Sequence, residues 1–133
     1  MTELEKIALK PRRISESVEQ QTIMQWADFS SGRYPELELL YHIPNEGKRS
    51  KATAGRLKAE GLKKGVPDLC LPVARGGYHG LYIELKAIGG RPTHEQVGWI
   101  GNLRQQGYHA EICAGADRAI RVIEEYLKLE AVK

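Results

Sequence analysis

The chemistry in this chain of 133 residues is concentrated in Pro67-Asp68 and Glu84-Leu85-Lys86, two short motifs on either side of a glycine-marked turn. Asp68-Leu69-Cys70-Leu71-Pro72-Val73 and Gly80-Leu81-Tyr82-Ile83-Glu84-Leu85-Lys86 read as β-type runs, and Ala74-Arg75-Gly76-Gly77-Tyr78-His79 between them suits a hairpin connection. Alternation sends Leu81, Ile83 and Leu85 to one face and Tyr82, Glu84 and Lys86 to the other. With the turn centred on Gly76, Asp68 and Glu84 are equidistant from it and become cross-strand neighbours, with Cβ atoms roughly 5 Å apart. Two like charges so placed destabilise a sheet unless a cation compensates them or the register differs. A hard divalent ion such as magnesium takes one or two carboxylates, completed by water and substrate phosphate, and Lys86 stands beside that position. The competing reading is an amphipathic edge strand whose Glu84 and Lys86 are simply its solvated face.

The elements that must position these groups occupy a single domain. Composition, 41% hydrophobic and 28% charged, is that of a globular chain and excludes disordered and fibrous classes. Residues 1–14 read as an N-terminal arm ending in Lys10-Pro11-Arg12-Arg13, and residues 15–133 as the folded unit. No apolar run approaches the roughly 20 residues of a membrane span, and the start carries no signal-peptide core, so a cytoplasmic protein is expected. Cys70 and Cys113 lack metal-ligand spacing and read as small buried residues rather than a disulfide or zinc pair.

Charge is uneven. Lys48, Arg49, Lys51, Arg56, Lys58, Lys63 and Lys64 face a single acid, Glu60, within one segment, whereas the whole chain carries only +3. Such a patch is the electrostatic footprint of a surface that meets a phosphate backbone, although a solvated helix face has the same composition.

In chain order, Ser15 or Ser17 caps a helix to about Ser30 with Ile23, Trp26 and Ala27 inward. Glu19 lies one turn before Ile23 on the same stripe, which calls either for a positive partner or for a role at the helix dipole. Glu38–Ile43 reads as a buried strand, followed by turn residues Pro44-Asn45-Glu46-Gly47 and a helix from Lys51 to about Leu62 with Ala54 and Leu57 inward. Thr93 opens a helix to about Gln106 with Val97, Ile100 and Leu103 buried, and Gln96 completes its capping box. A strand at Tyr108–Cys113 and a helix from Ala116 or Asp117 to about Lys128 finish the chain. A helix between two strands of one sheet implies a crossover, so an α/β fold with a central mixed sheet flanked by helices is expected, the hairpin at its middle.

Glu19, Pro67-Asp68, Glu84-Leu85-Lys86 and Gln96, in an αβββαβ order, resemble the restriction-endonuclease-like PD-(D/E)xK superfamily. His42-Ile43-Pro44-Asn45-Glu46-Gly47-Lys48-Arg49, Gly65-Val66-Pro67-Asp68 and Gly80–Lys86 together resemble the VRR-NUC (virus-type replication-repair nuclease) family, over about Glu19 to Leu127. The resemblance implies that Asp68, Glu84 and the Leu85 backbone carbonyl bind Mg2+ or Mn2+, with Glu19 completing the site directly or through water. It also implies that Lys86 orients or deprotonates the attacking water and that Gln96 holds Lys86 or the phosphate. His42 lies next to this site and reads either as a phosphate contact or as a hydrogen-bonded core histidine. Small members of the family resemble Holliday-junction resolvases acting as homodimers in bacteria and phages, so a structure-selective endonuclease on branched DNA is expected. Activity on flaps, or a catalytically silent DNA-binding module, are the alternatives.

Overall fold

A computed structural model describes residues 2–3, 14–44 and 50–132. Helix α1 (Glu16–Ser30) leads through a 3-10 turn (Pro35–Leu39) to strand β1 (Tyr41–His42), and helix α2 (Lys51–Ala59) precedes strands β2 (Leu69–Leu71) and β3 (Leu81–Lys86). Helix α3 (His94–Gln105), strand β4 (His109–Ala114) and helix α4 (Ala116–Leu127) complete the order. The four strands lie in the order β1-β2-β3-β4; β1–β2 and β2–β3 are antiparallel, and β3–β4 is parallel. A parallel pair needs a crossover, and α3 supplies it. The expected mixed sheet with the hairpin at its centre is therefore present.

The period-two pattern of β3 decides the layers. Leu81, Ile83 and Leu85 are each 1% exposed and cluster with Ile23 and Ala27 of α1 and with Ala119, Val122, Ile123, Tyr126 and Leu127 of α4. The alternate residue Glu84 turns the other way, towards α3, where Gln96 meets it and Ile100 is buried outside that cluster. Helices thus cover both faces. Tyr126 ties the core to the loop after β2, its hydroxyl donating to the Val73 carbonyl at 2.6 Å. Cys70 and Cys113 are buried free thiols on β2 and β4, and burial, together with the nearby Glu111 charge, pushes Cys113 up to about 12.

Local chemistry sets the helix starts. Ser15 accepts the Val18 N–H at 3.2 Å, Ser50 accepts the Thr53 N–H at 3.2 Å, and Thr93 forms a complete capping box with Gln96. Three expectations change. The run at Glu38–Ile43 is not a buried strand: Pro35 starts a 3-10 turn that sinks Leu37 and Leu40 into the core, leaving only exposed Tyr41 and His42 to pair at the sheet edge. Helix α2 ends at Ala59 and carries no buried residue, with Ala54 exposed and Leu57 half-buried, because among the described residues no sheet or helix packs against it closely enough to cover a stripe. Val97 is 51% exposed, so the inward row of α3 rests on Ile100 and half-buried Leu103. The proposed arm at 1–14 and the Asn45-Glu46-Gly47 turn fall almost wholly outside the described residues. Among the described residues, no helix is long and apolar enough to cross a membrane.

Candidate active site

The β2–β3 ladder sets Leu69 opposite Ile83, and one further step sets Asp68 opposite Glu84. Both carboxyls are buried, at 6% and 2% exposure. Asp68 is held from two sides: its Oδ2 accepts the Leu85 N–H at 2.7 Å, and its carbonyl accepts the Ile43 N–H at 2.7 Å and lies 3.0 Å from His42 Nδ1. Burial raises the Asp68 pKa, the Leu85 N–H opposes that rise, and the negative charge of Glu16 adds to it. Glu84 is pushed up to about 8, first by burial and then by the Asp68 charge, with Lys86 pulling the other way.

Lys86 places its Nζ 3.7 Å from Glu84 Oε1 and 3.9 Å from Glu16 Oε1. Gln96 does two things at once. Its backbone N–H and side-chain oxygen close the capping box with Thr93, and its Nε2 donates to Glu84 Oε1 at 2.7 Å. The helix-cap reading of Gln96 thus matches its contacts with Thr93, while its side chain meets Glu84 rather than the Lys86 that the resemblance implied. The second oxygen, Glu84 Oε2, is buried and accepts no hydrogen bond, and the two acids hydrogen-bond each other only when one of them is protonated. Buried polar atoms rarely lack a hydrogen bond, and a carboxylate oxygen so placed beside a second carboxylate is a donor suited to a cation. Among the described residues, no three His, Cys, Asp or Glu side chains converge into a complete metal cage. The donors present, two carboxylates and nearby backbone oxygen, fit a hard ion that keeps water and phosphate ligands, and do not fit zinc, which favours nitrogen and sulfur.

A cleft of about 230 Å³ opens beside Asp68 and Leu85, with Glu16, Ser17, Gln20 and His42 as its other walls. This placement departs from the sequence reading at two residues. Glu19 is buried, as its stripe position required, but its Oε2 accepts the Ala116 N–H at the start of α4, so its positive partner is a helix N-terminus. Glu16, one turn earlier on α1, is the acid that reaches Lys86 and lines the cleft. The signal for Glu16 was available in its spacing from Glu19, yet choosing between them needs the rotation of α1 on the sheet. His42 is exposed on the edge strand rather than a core histidine, because β1 is too short and too peripheral to be covered.

Of the basic candidates, Lys51, Arg56, Lys58, Lys63 and Lys64 are exposed on α2 and the loop that follows it, whereas Lys48 and Arg49 lie outside the described residues. The loop is anchored to α3: Trp99 Nε1 donates to the Lys64 carbonyl at 3.0 Å, and a Cβ added at Gly65 would lie 2.5 Å from the Glu95 backbone.

A four-stranded mixed sheet with helices on both faces, carrying two buried carboxylates and a lysine at its central hairpin, defines a restriction-endonuclease-like domain. The model of the VRR-NUC domain matches residues 4–117. A solved structure described as a VRR_NUC domain protein is 32% identical, covers 92% of this chain and 96% of its own, and superposes with a TM-score of 0.79. No curated protein matches. The chain belongs to the VRR-NUC family, which is of nuclease type.

Proposed function

We propose that the protein is a divalent-metal-dependent endodeoxyribonuclease that hydrolyses phosphodiesters in branched DNA, acting as a homodimer on four-way junctions of the Holliday type. The observation that carries this reading is the buried Asp68–Glu84 pair with Lys86 beside it and Glu84 Oε2 accepting no hydrogen bond. Asp68, Glu84 and the Leu85 carbonyl are the groups that would hold Mg2+ or Mn2+. Such an ion supplies an acidified water and neutralises charge on the scissile phosphate.

The chain's own residues supply the rest. Lys86, between Glu84 and Glu16, offers a fixed positive charge to the phosphate oxygen and a donor that orients the attacking water. Gln96 fixes Glu84 Oε1, so that the other oxygen faces the ion. Glu16 balances Lys86 from the helix side, while Glu19, to which the resemblance gives a place at the metal directly or through water, positions α1 against α4. Lys51, Arg56, Lys58, Lys63 and Lys64, with Lys48 and Arg49 preceding them, bind the backbone. A two-fold dimer provides the paired incisions that a symmetric junction needs.

The test is a panel of labelled four-way junctions, flaps, splayed arms and nicked duplexes at fixed salt with Mg2+ or Mn2+, run alongside the oligomeric state. Paired cuts near the branch, lost by roughly 100-fold or more in Asp68→Asn and Lys86→Ala while binding persists, are the expected result. No cleavage of any branched substrate, or cleavage undiminished in both variants, refutes the proposal.

A further inference from the structure

A second cavity, of about 510 Å³, lies between the end of α2 and α3, lined by Lys58, Gly61, Leu62, Lys63, Lys64 and Trp99. Its volume is within the roughly 300–1,000 Å³ of small-ligand sites. Its walls combine two chemistries. Three lysines are exposed, and among the described residues none of them pairs with an acid. The indole of Trp99 is half-buried with its N–H already satisfied by the Lys64 carbonyl, so what it presents to the cavity is apolar ring. Space for a ring is open above Gly61, where an added Cβ would meet nothing within 4 Å.

We propose that this cavity receives one unpaired nucleotide of a DNA strand, with its base against Trp99 and its phosphate among Lys58, Lys63 and Lys64. The inference rests on the reading of the protein as a DNA nuclease and adds to it a determinant of substrate shape. A phosphate backbone alone requires lysines but neither an indole nor Leu62, whereas an unstacked base requires a π-face and cations to hold its backbone. A base inside a duplex is stacked on both sides and reaches such a wall only after being pulled out, so an already unpaired nucleotide occupies the cavity at lower cost.

The location relative to the carboxylates gives the cavity its consequence. Trp99 follows Gln96 by three positions on α3, one turn along the same side and roughly 4.5 Å further on the axis, and Gln96 touches Glu84. From the other wall, Lys64 leads through Gly65-Val66-Pro67 directly to Asp68. The unpaired nucleotide therefore lies close to the bond being cut, and the protein selects DNA that frays or branches beside that bond.

The experiment uses the full chain without metal, so that binding is read apart from cleavage. Trp26→Phe leaves Trp99 as the single tryptophan of a chain that has two. A short single-stranded oligothymidylate and a splayed-arm duplex should each quench its fluorescence saturably, and a blunt duplex of equal length at the same concentration should not. Trp99→Ala should weaken splayed-arm binding by roughly 5- to 150-fold, the span of base–aromatic stacking, with Trp99→Phe within a few-fold of wild type and blunt-duplex affinity unchanged in both. Absent quenching, equal quenching by blunt duplex, or equal weakening of both DNAs by Trp99→Ala overturns the inference. A protein that is quenched but never cleaves refutes only the nuclease reading, and one that cleaves without quenching refutes only the nucleotide site.

Discussion

Replacing Glu84 by Gln tests the central claim about the site without measuring DNA cleavage. Glu84 is 2% exposed, one oxygen is held by Gln96, the other accepts no hydrogen bond, and the Asp68 carboxyl it bonds only when protonated lies opposite, so the ionised form is costly in the metal-free protein. Its pKa rises from 4.5 to about 8, chiefly through burial. The sign follows from proton linkage. The fold keeps this proton up to about pH 8 while the unfolded chain releases it near 4.5, so the group's contribution is full below 4.5 and is lost progressively as pH rises to about 8. At 1.36 kcal/mol per pH unit the loss is on the order of 2–5 kcal/mol, which in a domain of this size corresponds to a Tm change of roughly 6 °C or more. Glu84→Gln removes the titration, because a neutral amide keeps the shape and the hydrogen bond capacity. In chelator, the variant should match wild type near pH 5 and exceed it near pH 8, and Mg2+ or Mn2+ at pH 8 should stabilise wild type but not the variant. Thermal unfolding followed by circular dichroism at pH 5, 6, 7 and 8 is the assay. A variant less stable than wild type at pH 8, or a difference that does not grow with pH, refutes the account of a carboxylate buried for a cation.

Two further outcomes follow from the same contacts. Glu19→Gln weakens a buried charge-assisted acceptor at the start of α4 and should cost about 1–3 kcal/mol of stability, read by urea unfolding, with cleavage by the folded fraction retained; a stable but inactive variant would return Glu19 to the chemistry. Gly65→Ala combines a φ of +85° with a Cβ 2.5 Å from the Glu95 backbone, and should destabilise by about 1–3 kcal/mol and loosen the start of α3, lowering cleavage along with Tm; an unaffected Tm would show that the loop does not depend on this contact.

What was legible in the sequence depended on short-range rules. The alternation of β3 placed Leu81, Ile83 and Leu85 in the core, the glycines at the turn set a register that brings Asp68 opposite Glu84, and Thr93 with Gln96 announced the start of α3. The helix between two strands called for a crossover and hence a mixed sheet, the family resemblance was read from His42–Arg49, Gly65–Asp68 and Gly80–Lys86, and membership of the family is shown by the match over residues 4–117. The expectation for Glu38–Ile43 failed because a run of apolar and β-type residues does not reveal that Pro35 will tighten the chain into a 3-10 turn and that the strand will be left at an edge.

By itself, then, the sequence determined which faces are apolar, where helices start, and that two acids and a lysine share one hairpin, since these follow from periodicities of two and 3.6 residues and from capping chemistry. Tertiary structure decided the rest. The rotation of α1 about its axis sends Glu19 to the N-terminus of α4 and Glu16 to Lys86, although both sit on the same helix one turn apart. The docking of the Lys63–Gly65 loop on α3 brings Trp99 beside the lysines, residues far apart in the chain. Both outcomes depend on how one rigid element sits against another, a quantity set by the packing of many side chains at once and written in no single motif.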